Sequence, residues 1–270
     1  MKDSRIAARG IVLLGCGKMG SAMLRGWLGQ GLPAGAVWVV DPAPSDWVMS
    51  TGVHVNADLP GDPAVVLIAV KPQMMAQALP NIADLGTDDT VFVSIAAGTP
   101  VSAFEQALGV RAIVRAMPNT PAAIGQGITA ICANAAGAPF LDEAEALLSA
   151  IGSVVRLDDE SQMDAVTGVS GSGPAYVFHL IETMAAAGVA QGLPEGLALQ
   201  LAKATVAGAG ALAMAAEESP GQLRQIVTSP FGTTQAALEL LMDEARGCAE
   251  RGEGGAAGVD IRRVMGEENA

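Results

Sequence analysis

Gly15-Cys16-Gly17-Lys18-Met19-Gly20 sets three glycines at the spacing GxGxxG, and Asp41 follows 21 residues after the last of them. A short apolar run, GIVLL over 10–14, precedes the glycines. Residues 21–30 after them carry Met23, Leu24, Trp27 and Leu28 on one helical face. Strand, glycine turn and helix in that order, with an acid further on, is the context in which this spacing binds a dinucleotide. Gly15 permits the tight turn, Gly17 lets a pyrophosphate reach the backbone, and Gly20 lets the helix pack on the strand. The helix N-terminus, with Lys18 and Met19 beside it, then offers free N–H groups to the phosphates. Asp41 ends the run VWVVD and can accept hydrogen bonds from ribose hydroxyls, including the 2′-OH. With a 2′-phosphate in that place two anions would face each other. No basic residue lies between Asp41 and Val53, and Lys18 is the one cation of the loop that could offset the repulsion. NADH is therefore expected over NADPH. The other reading has Asp41 turned outward, capping the turn before Pro42.

Three later segments fall where strand ends should line the same crevice. They are Ala69-Val70-Lys71-Pro72, Ser94-Ile95-Ala96-Ala97-Gly98 and Arg115-Ala116-Met117-Pro118-Asn119-Thr120-Pro121. Open α/β sheets bind ligands at the carboxyl ends of their strands. Lys71 reads equally as a solvated charge at a strand end, and Asn119 and Thr120 as ordinary turn residues. Further along, Ser170-Gly171-Ser172-Gly173-Pro174 places two serines and two glycines before a proline suited to the start of a helix. Exposed N–H groups there would suit a carboxylate, although simple capping explains the same residues. Thr228-Ser229-Pro230 and Thr233-Thr234 form a second hydroxyl-rich turn before a helix. Two such turns could grip one small anion.

The elements that must position these groups fall into two classes. Apolar runs at 37–40, 65–70, 91–95, 112–115, 128–132 and 153–157 read as strands. Helical stretches at 73–82, 101–108 and 141–151 separate several of them. Strands alternating with helices predict a parallel sheet covered on both faces. After about residue 160 no strand-like run recurs. Helices are predicted over 175–190, 195–216, 221–227 and 233–244, with Pro194 and Pro220 in first turns. The expected division is a Rossmann-type dinucleotide-binding domain over 1–159 and an all-α domain over 160–270. Residues 246–270, rich in glycine and charge, read as irregular.

Composition sets limits on function. The chain has 270 residues, 50% of them hydrophobic and 16% charged, a globular balance. Its net charge of −13 argues against nucleic acid and against an anionic membrane surface. An anionic ligand must then be held by local donors. Cys16, Cys132 and Cys248 are an odd set without CxxC, so neither a disulfide framework nor a metal site is expected, and a reducing cytoplasm fits. His54 and His179 stand alone and read as structural. The start, MKDSRIAARG, shows no signal peptide. Residues 196–216 are apolar enough to suggest a membrane span, but Gln200 and Lys203 interrupt them and Ala and Gly dominate. A tightly packed helix of a soluble protein is the expectation.

At this point a resemblance becomes specific. GCGKMG, AVKPQ, SIAAG, RAMPNTPA, DAVTGVSGSGPAYVF and VTSPFGTTQAAL resemble, in order, the motifs of the pyrroline-5-carboxylate reductases, over roughly residues 10–245. The resemblance implies the last step of proline biosynthesis: hydride transfer from NADH or NADPH to the imine carbon of Δ1-pyrroline-5-carboxylate. It implies a helical domain that interlocks with a second subunit, giving a homodimer or larger homo-oligomer. Coenzyme binding would fall to Gly15, Gly17, Lys18, Met19, Gly20, Asp41, Ala69, Val70, Lys71, Pro72, Ala96, Ala97 and Gly98. Val227, Thr228 and Ser229 would hold the substrate carboxylate, with Glu217 and Ser172 nearby, and Thr234 would bond the imine nitrogen as the catalytic group. Two stretches depart from the family. Phe231 stands where the family usually has the first glycine of SPGGTT. If that position needs a positive φ, the phenylalanine is strained. The tail, CAERGEGGAAGVDIRRVMGEENA, departs from the Ala-rich sequence of the family's terminal helix. Two alternatives are a β-hydroxyacid dehydrogenase and a non-catalytic dinucleotide-binding protein. The first needs a lysine base that 175–190 does not contain.

Overall fold

The computed structural model describes residues 5–239 together with 241 and 242. The strands are β1 (Ile11–Leu14), β2 (Val37–Val40), β3 (His54–Val55), β4 (Val65–Ile68), β5 (Val91–Ser94), β6 (Ala112–Met117), β7 (Gly127–Ala133) and β8 (Gly152–Arg156). The α-helices are α1 (Arg5–Arg9), α2 (Lys18–Gly29), α3 (Asp46–Ser50), α4 (Met75–Ala78), α5 (Val101–Leu108), α6 (Leu141–Leu148), α7 (Met163–Val166), α8 (Gly173–Ala190), α9 (Glu195–Ala215) and α10 (Pro220–Ile226). Residues 233–239, 241 and 242 are also helical.

Two compact units divide the chain, one running to Ser172 and the other starting at Gly173. In the first, the strands form one sheet in the order β3-β2-β1-β4-β5-β6-β7-β8. Successive residues of β1, β4 and β5 are all buried and join two different clusters. Ile11, Leu13, Val65, Leu67, Val91 and Val93 face one side, and Val12, Leu14, Val66, Ile68 and Phe92 the other. Apolar runs without polar alternation are what a sheet covered on both faces requires. Trp27 on α2 is fully buried and donates its Nε1–H to the Leu147 carbonyl of α6 at 3.0 Å, tying two covering helices together.

The sheet is not wholly parallel. β6 and β7 pair antiparallel, whereas every other neighbouring pair is parallel. Between them lies only the 3-10 helix Thr120–Ile124 with its flanking residues, and a parallel return needs a longer crossover. The helix expected over 73–82 is broken into the 3-10 helix Pro72–Met74, α4 and the 3-10 helix Leu79–Asn81. Pro80, which lacks an amide hydrogen, stands inside that stretch. α1, α3 and β3 are five residues or shorter and have no sequence signal of their own.

In the second unit α8 and α9 form a hairpin joined by residues 191–194. A Cβ added to Gly188 would lie 3.2 Å from the Ala198 Cβ, so the two helices approach closely there. α10 starts with a capping box: Ser219 Oγ accepts from the Gln222 amide at 3.3 Å, and Gln222 Oε1 accepts from the Ser219 amide at 2.8 Å. Within the single chain α9 is not packed over most of its surface. Ala198 and Ala202 are its only buried residues, and no residue of α8 is buried. Among the described residues α9 is one helix long and apolar enough to cross a membrane by length and composition, with 11% of that stretch buried. Its small and apolar side chains need a surface that these described residues do not supply. The end of the helix expected over 233–244, the irregular tail over 246–270 and Cys248 lie outside the described residues.

Candidate active site

β1 ends at Leu14, and the chain turns sharply through Gly15 at φ +89°. A side chain cannot fit there, because a Cβ would lie 2.9 Å from the Ala69 carbonyl oxygen. The turn is pinned from both neighbouring strands: the Gly15 amide donates to the Val40 carbonyl and the Ala69 amide to the Leu14 carbonyl, each at 2.8 Å. Gly20 is closed in as well, with a Cβ placed 2.5 Å from the Gly15 oxygen. Gly17 differs. A Cβ on it would meet no protein atom within 4 Å. It is the N-cap of α2, and no side chain caps that end. Lys18 is exposed and Met19 half-buried on the first turn. The three glycines thus do three jobs: a turn, an open approach and a close helix–strand contact. Cys16 between them is buried, and its thiol is shifted upward, first by burial and then by the Asp41 charge, against a lowering hydrogen bond to Ser21.

Asp41 turns toward this loop. Its Oδ2 accepts the Cys16 amide at 2.6 Å and its Oδ1 accepts the Ala43 amide at 2.8 Å. One oxygen thus caps the turn after β2, as the second reading expects, and the other reaches back to the glycine loop. Asn56, at the end of β3, grips the Asp41 backbone from the other side. Its Oδ1 accepts the Asp41 amide at 3.0 Å and its Nδ2 donates to the Asp41 carbonyl at 2.8 Å. Asn56 sits at φ +49°, a left-handed conformation that asparagine tolerates. Sequence reasoning missed Asn56 because β3 has only two residues. Arg25 of α2 stacks over the Trp47 ring at 3.9 Å, so that cation is already engaged.

The other expected coenzyme residues come to the same edge of the sheet. Leu14 is in register with Val40 and Ile68, Ile68 with Ser94, and Ser94 with Arg115. Gly15, Asp41, Ala69 and Ile95 each follow directly on such a strand end, and Pro118 follows the end of β6. Ala69 and Val70 are half-buried, Lys71 and Pro72 exposed, Ala96 buried, and Ala97 and Gly98 exposed. Gly98 has φ +69°. Beyond it, Glu160 accepts the Val101 amide at the start of α5 and the Arg115 guanidinium, each at 2.8 Å. Arg115 is buried opposite Cys132, whose thiol is pushed up to about 11, chiefly by burial and next by Glu160. This pair was not singled out from sequence, since arginine and glutamate 45 residues apart carry no local pattern.

The first hydroxyl-rich turn differs from expectation. Residues 167–171 form a single π-helical turn between α7 and α8, and the Ser172 amide donates to the Thr167 carbonyl at 2.8 Å. Ser172 is thus half-buried within a nearly continuous helical path, and its N–H is not free for a carboxylate. The path stays helical because the π turn absorbs an extra residue where a loop was expected.

The second turn is a tight reversal. The Gly232 amide donates to the Ser229 carbonyl at 3.1 Å. Phe231 in it has φ +60°, and its side chain is 100% exposed. The strain expected of a phenylalanine in a glycine position is therefore present. Its amide donates to Gln235 Oε1 at 2.9 Å. Thr228 Oγ1 donates to the Arg224 carbonyl at 2.6 Å, and the Val227 and Thr228 amides donate to the Leu223 and Gln225 carbonyls. Those donors are engaged locally, so the expectation that Val227 and Thr228 donate to a carboxylate is not met, and the donors left in this turn are the Ser229 amide and hydroxyl. Thr234 is exposed on the first turn of the following helix. Glu217 is exposed in the separate connection between α9 and α10. Val227, Thr228, Ser229 and Thr234 lie in this one stretch of the second unit, and Ser172 closes the first.

Comparison with known proteins gives the family. The profile of the pyrroline-5-carboxylate reductase dimerisation domain matches residues 160–251, and that of the F420-dependent NADP oxidoreductases matches 10–98. The pyrroline-5-carboxylate reductase of Pseudomonas aeruginosa is 41% identical over 237 residues, covering 85% of this chain and 87% of that one. The solved structure of a Coxiella burnetii pyrroline-5-carboxylate reductase superposes with a TM-score of 0.80 at 32% identity, covering 87% of this chain and 91% of that one. The Plasmodium falciparum pyrroline carboxylate reductase, solved with NADP bound, shares the fold at a TM-score of 0.78 and 24% identity over 96% of each chain. A Rossmann-type sheet with a dinucleotide loop, followed by a helical dimerisation domain, places this chain in the pyrroline-5-carboxylate reductase family of NAD(P)-dependent oxidoreductases.

Proposed function

We propose that the chain reduces Δ1-pyrroline-5-carboxylate to proline with a reduced nicotinamide dinucleotide, as a homodimer or larger homo-oligomer, and that it favours NADH. The observation that carries the reading is the glycine loop with Asp41 bonded into it, in a chain 41% identical to a pyrroline-5-carboxylate reductase. The loop fits a dinucleotide: Gly17 is open where a pyrophosphate must approach, and the first turn of α2 has no competing side-chain cap. The strand-end residues Ala69, Val70, Lys71, Pro72, Ala96, Ala97 and Gly98 border the nicotinamide half. Bound there, the coenzyme supplies a hydride to the imine carbon.

The chain's own residues do the rest by position and electrostatics. The Ser229 amide and hydroxyl hold the carboxylate in the turn that Val227 and Thr228 form, and Glu217 and the Ser172 hydroxyl are the further substrate contacts proposed. The Thr234 hydroxyl orients the imine nitrogen and favours its protonated form, which is the better hydride acceptor. Buried thiols at Cys16 and Cys132 suit a reducing cytoplasm.

Coenzyme choice follows from Asp41. Each carboxylate oxygen accepts one backbone amide and keeps a lone pair for a ribose hydroxyl. A 2′-phosphate would meet that charge, with Lys18 as the free cation of the loop and Arg25 held over Trp47. Like-charge juxtaposition of this kind is worth several kcal/mol, so a preference for NADH of about tenfold or more is expected. The test is kcat/KM for pyrroline-5-carboxylate with each coenzyme, in wild type and in Asp41→Ser. Asp41→Ser should move the ratio toward NADPH. A wild type that prefers NADPH, with a ratio the substitution leaves unmoved, contradicts the role of Asp41.

A further inference from the structure

Asn119 has no part in the mechanism above, yet it joins two elements that the mechanism needs. It follows β6 in extended conformation and is the N-cap of the 3-10 helix Thr120–Ile124, but its side chain does not cap that helix. The amide group is used at both ends instead. Oδ1 accepts the Ile128 amide of β7 at 3.0 Å, and Nδ2 donates to the Ser170 carbonyl at 3.1 Å. Ser170 lies in the π-helical turn Thr167–Gly171. Turns of this kind are rare and frequently fall at functional sites. A second contact holds the same turn to the same strand. A Cβ on Gly171 would come within 2.7 Å of the Met117 Cε at the end of β6, so the glycine backbone is packed directly against that side chain.

β6 ends on the sheet edge that carries Gly15, Asp41 and Ala69. The π turn leads straight into Ser172. The geometry points to Asn119 as a positioning residue for hydride transfer: it straps the turn carrying Ser170 and Ser172 to the coenzyme edge of the sheet. The inference rests on the function proposed above. Its physical basis is the steep dependence of such a step on placement, since an error of about 1 Å can lower the rate about 10²-fold. Ordinary turn stabilisation would use the same two bonds without touching the chemical step, and the experiment separates the two.

Asn119→Asp keeps an acceptor for the Ile128 amide and loses the donor to Ser170, and Asn119→Ala loses both. In each variant kcat should fall about tenfold or more, while the dissociation constant for NADH, read by fluorescence titration, stays within twofold of wild type. The primary isotope effect with NADH deuterated at the transferred position should rise, because hydride transfer becomes more rate-limiting. If Asn119→Ala does not fold, Asn119→Asp carries the measurement. Folded variants with unchanged kcat and unchanged isotope effect, whatever their melting temperature, overturn the positioning role alone. A wild type that does not reduce pyrroline-5-carboxylate overturns the proposed function and this role with it.

Discussion

In the proposed reaction Thr234 would carry the largest chemical burden of any single side chain. Its hydroxyl is exposed on a first helical turn, so it is free to turn toward an imine nitrogen. Removing a positioned hydrogen-bonding group of this kind typically lowers rate about 10²–10⁴-fold. Thr234→Ala should therefore lower kcat/KM about 10²-fold while NADH still binds, as read by steady-state kinetics beside a fluorescence titration. A variant within twofold of wild type would remove the role. Three residues away, Phe231 sits at φ +60°. Holding a bulky residue in the left-handed region costs about 1–3 kcal/mol. Phe231→Gly relieves it, less the smaller entropic penalty of adding a glycine to the unfolded chain. The urea midpoint should rise, and activity should rise or stay level. A lower midpoint with intact activity would show that the exposed ring makes a stabilising contact worth more than the strain. The need for a positive φ at this position was legible before the fold was known, because a family glycine marks a conformation and not only a size. Asn56 was not legible, since its role depends on a two-residue strand brought beside Asp41.

At the scale of elements, the glycine loop shows why spacing carries so much information. The close approach of Gly20 to the Gly15 oxygen and the openness of Gly17 are opposite environments three positions apart in the motif. Gly20→Ala must push α2 away from the end of β1, because a Cβ 2.5 Å from a backbone oxygen has no flexible neighbour to displace. NADH affinity should weaken about tenfold or more as the helix N-terminus moves off the phosphates. Unchanged affinity in Gly20→Ala would mean that the helix does not bind through that end. The strands of the sheet centre were readable because burial on both faces demands continuous apolar runs, as in 65–68 and 91–94. The antiparallel step from β6 to β7 was not, because strand direction is set by the length of the connection and not by the residues of either strand. The helical path through Ser170–Gly173 was not legible for a related reason: serines and glycines that favour caps can also sit in a helix when neighbours such as Asn119 hold them.

Over the whole molecule, α8 and α9 pose the plainest physical problem. Phe178, Leu201, Leu212 and Met214 are 61, 49, 55 and 86% exposed, and a groove between the helices is lined by Phe178, Ile181, Ala185, Val189 and Leu199. Exposed apolar area on this scale marks an interaction surface, and a second copy of the chain related by twofold symmetry is the commonest way to cover it. The match of a dimerisation profile over 160–251 agrees. Light scattering at micromolar concentration should give at least twice the chain mass of 27.2 kDa, and a monomer would contradict the proposed assembly. That the helices lacked enough large side chains to form a core alone was visible in their alanine and glycine content. Which face meets which partner face was not, because α9 is apolar nearly all round and its period therefore points nowhere. The central claim concerns chemistry, and it is tested most directly by incubating the purified protein with pyrroline-5-carboxylate and NADH, then measuring proline formed against NADH consumed. The expected result is one proline per NADH, with turnover faster than with NADPH. NADH left unconsumed with either coenzyme's substrate mixture yielding no proline, from protein that binds the dinucleotide, would contradict the account.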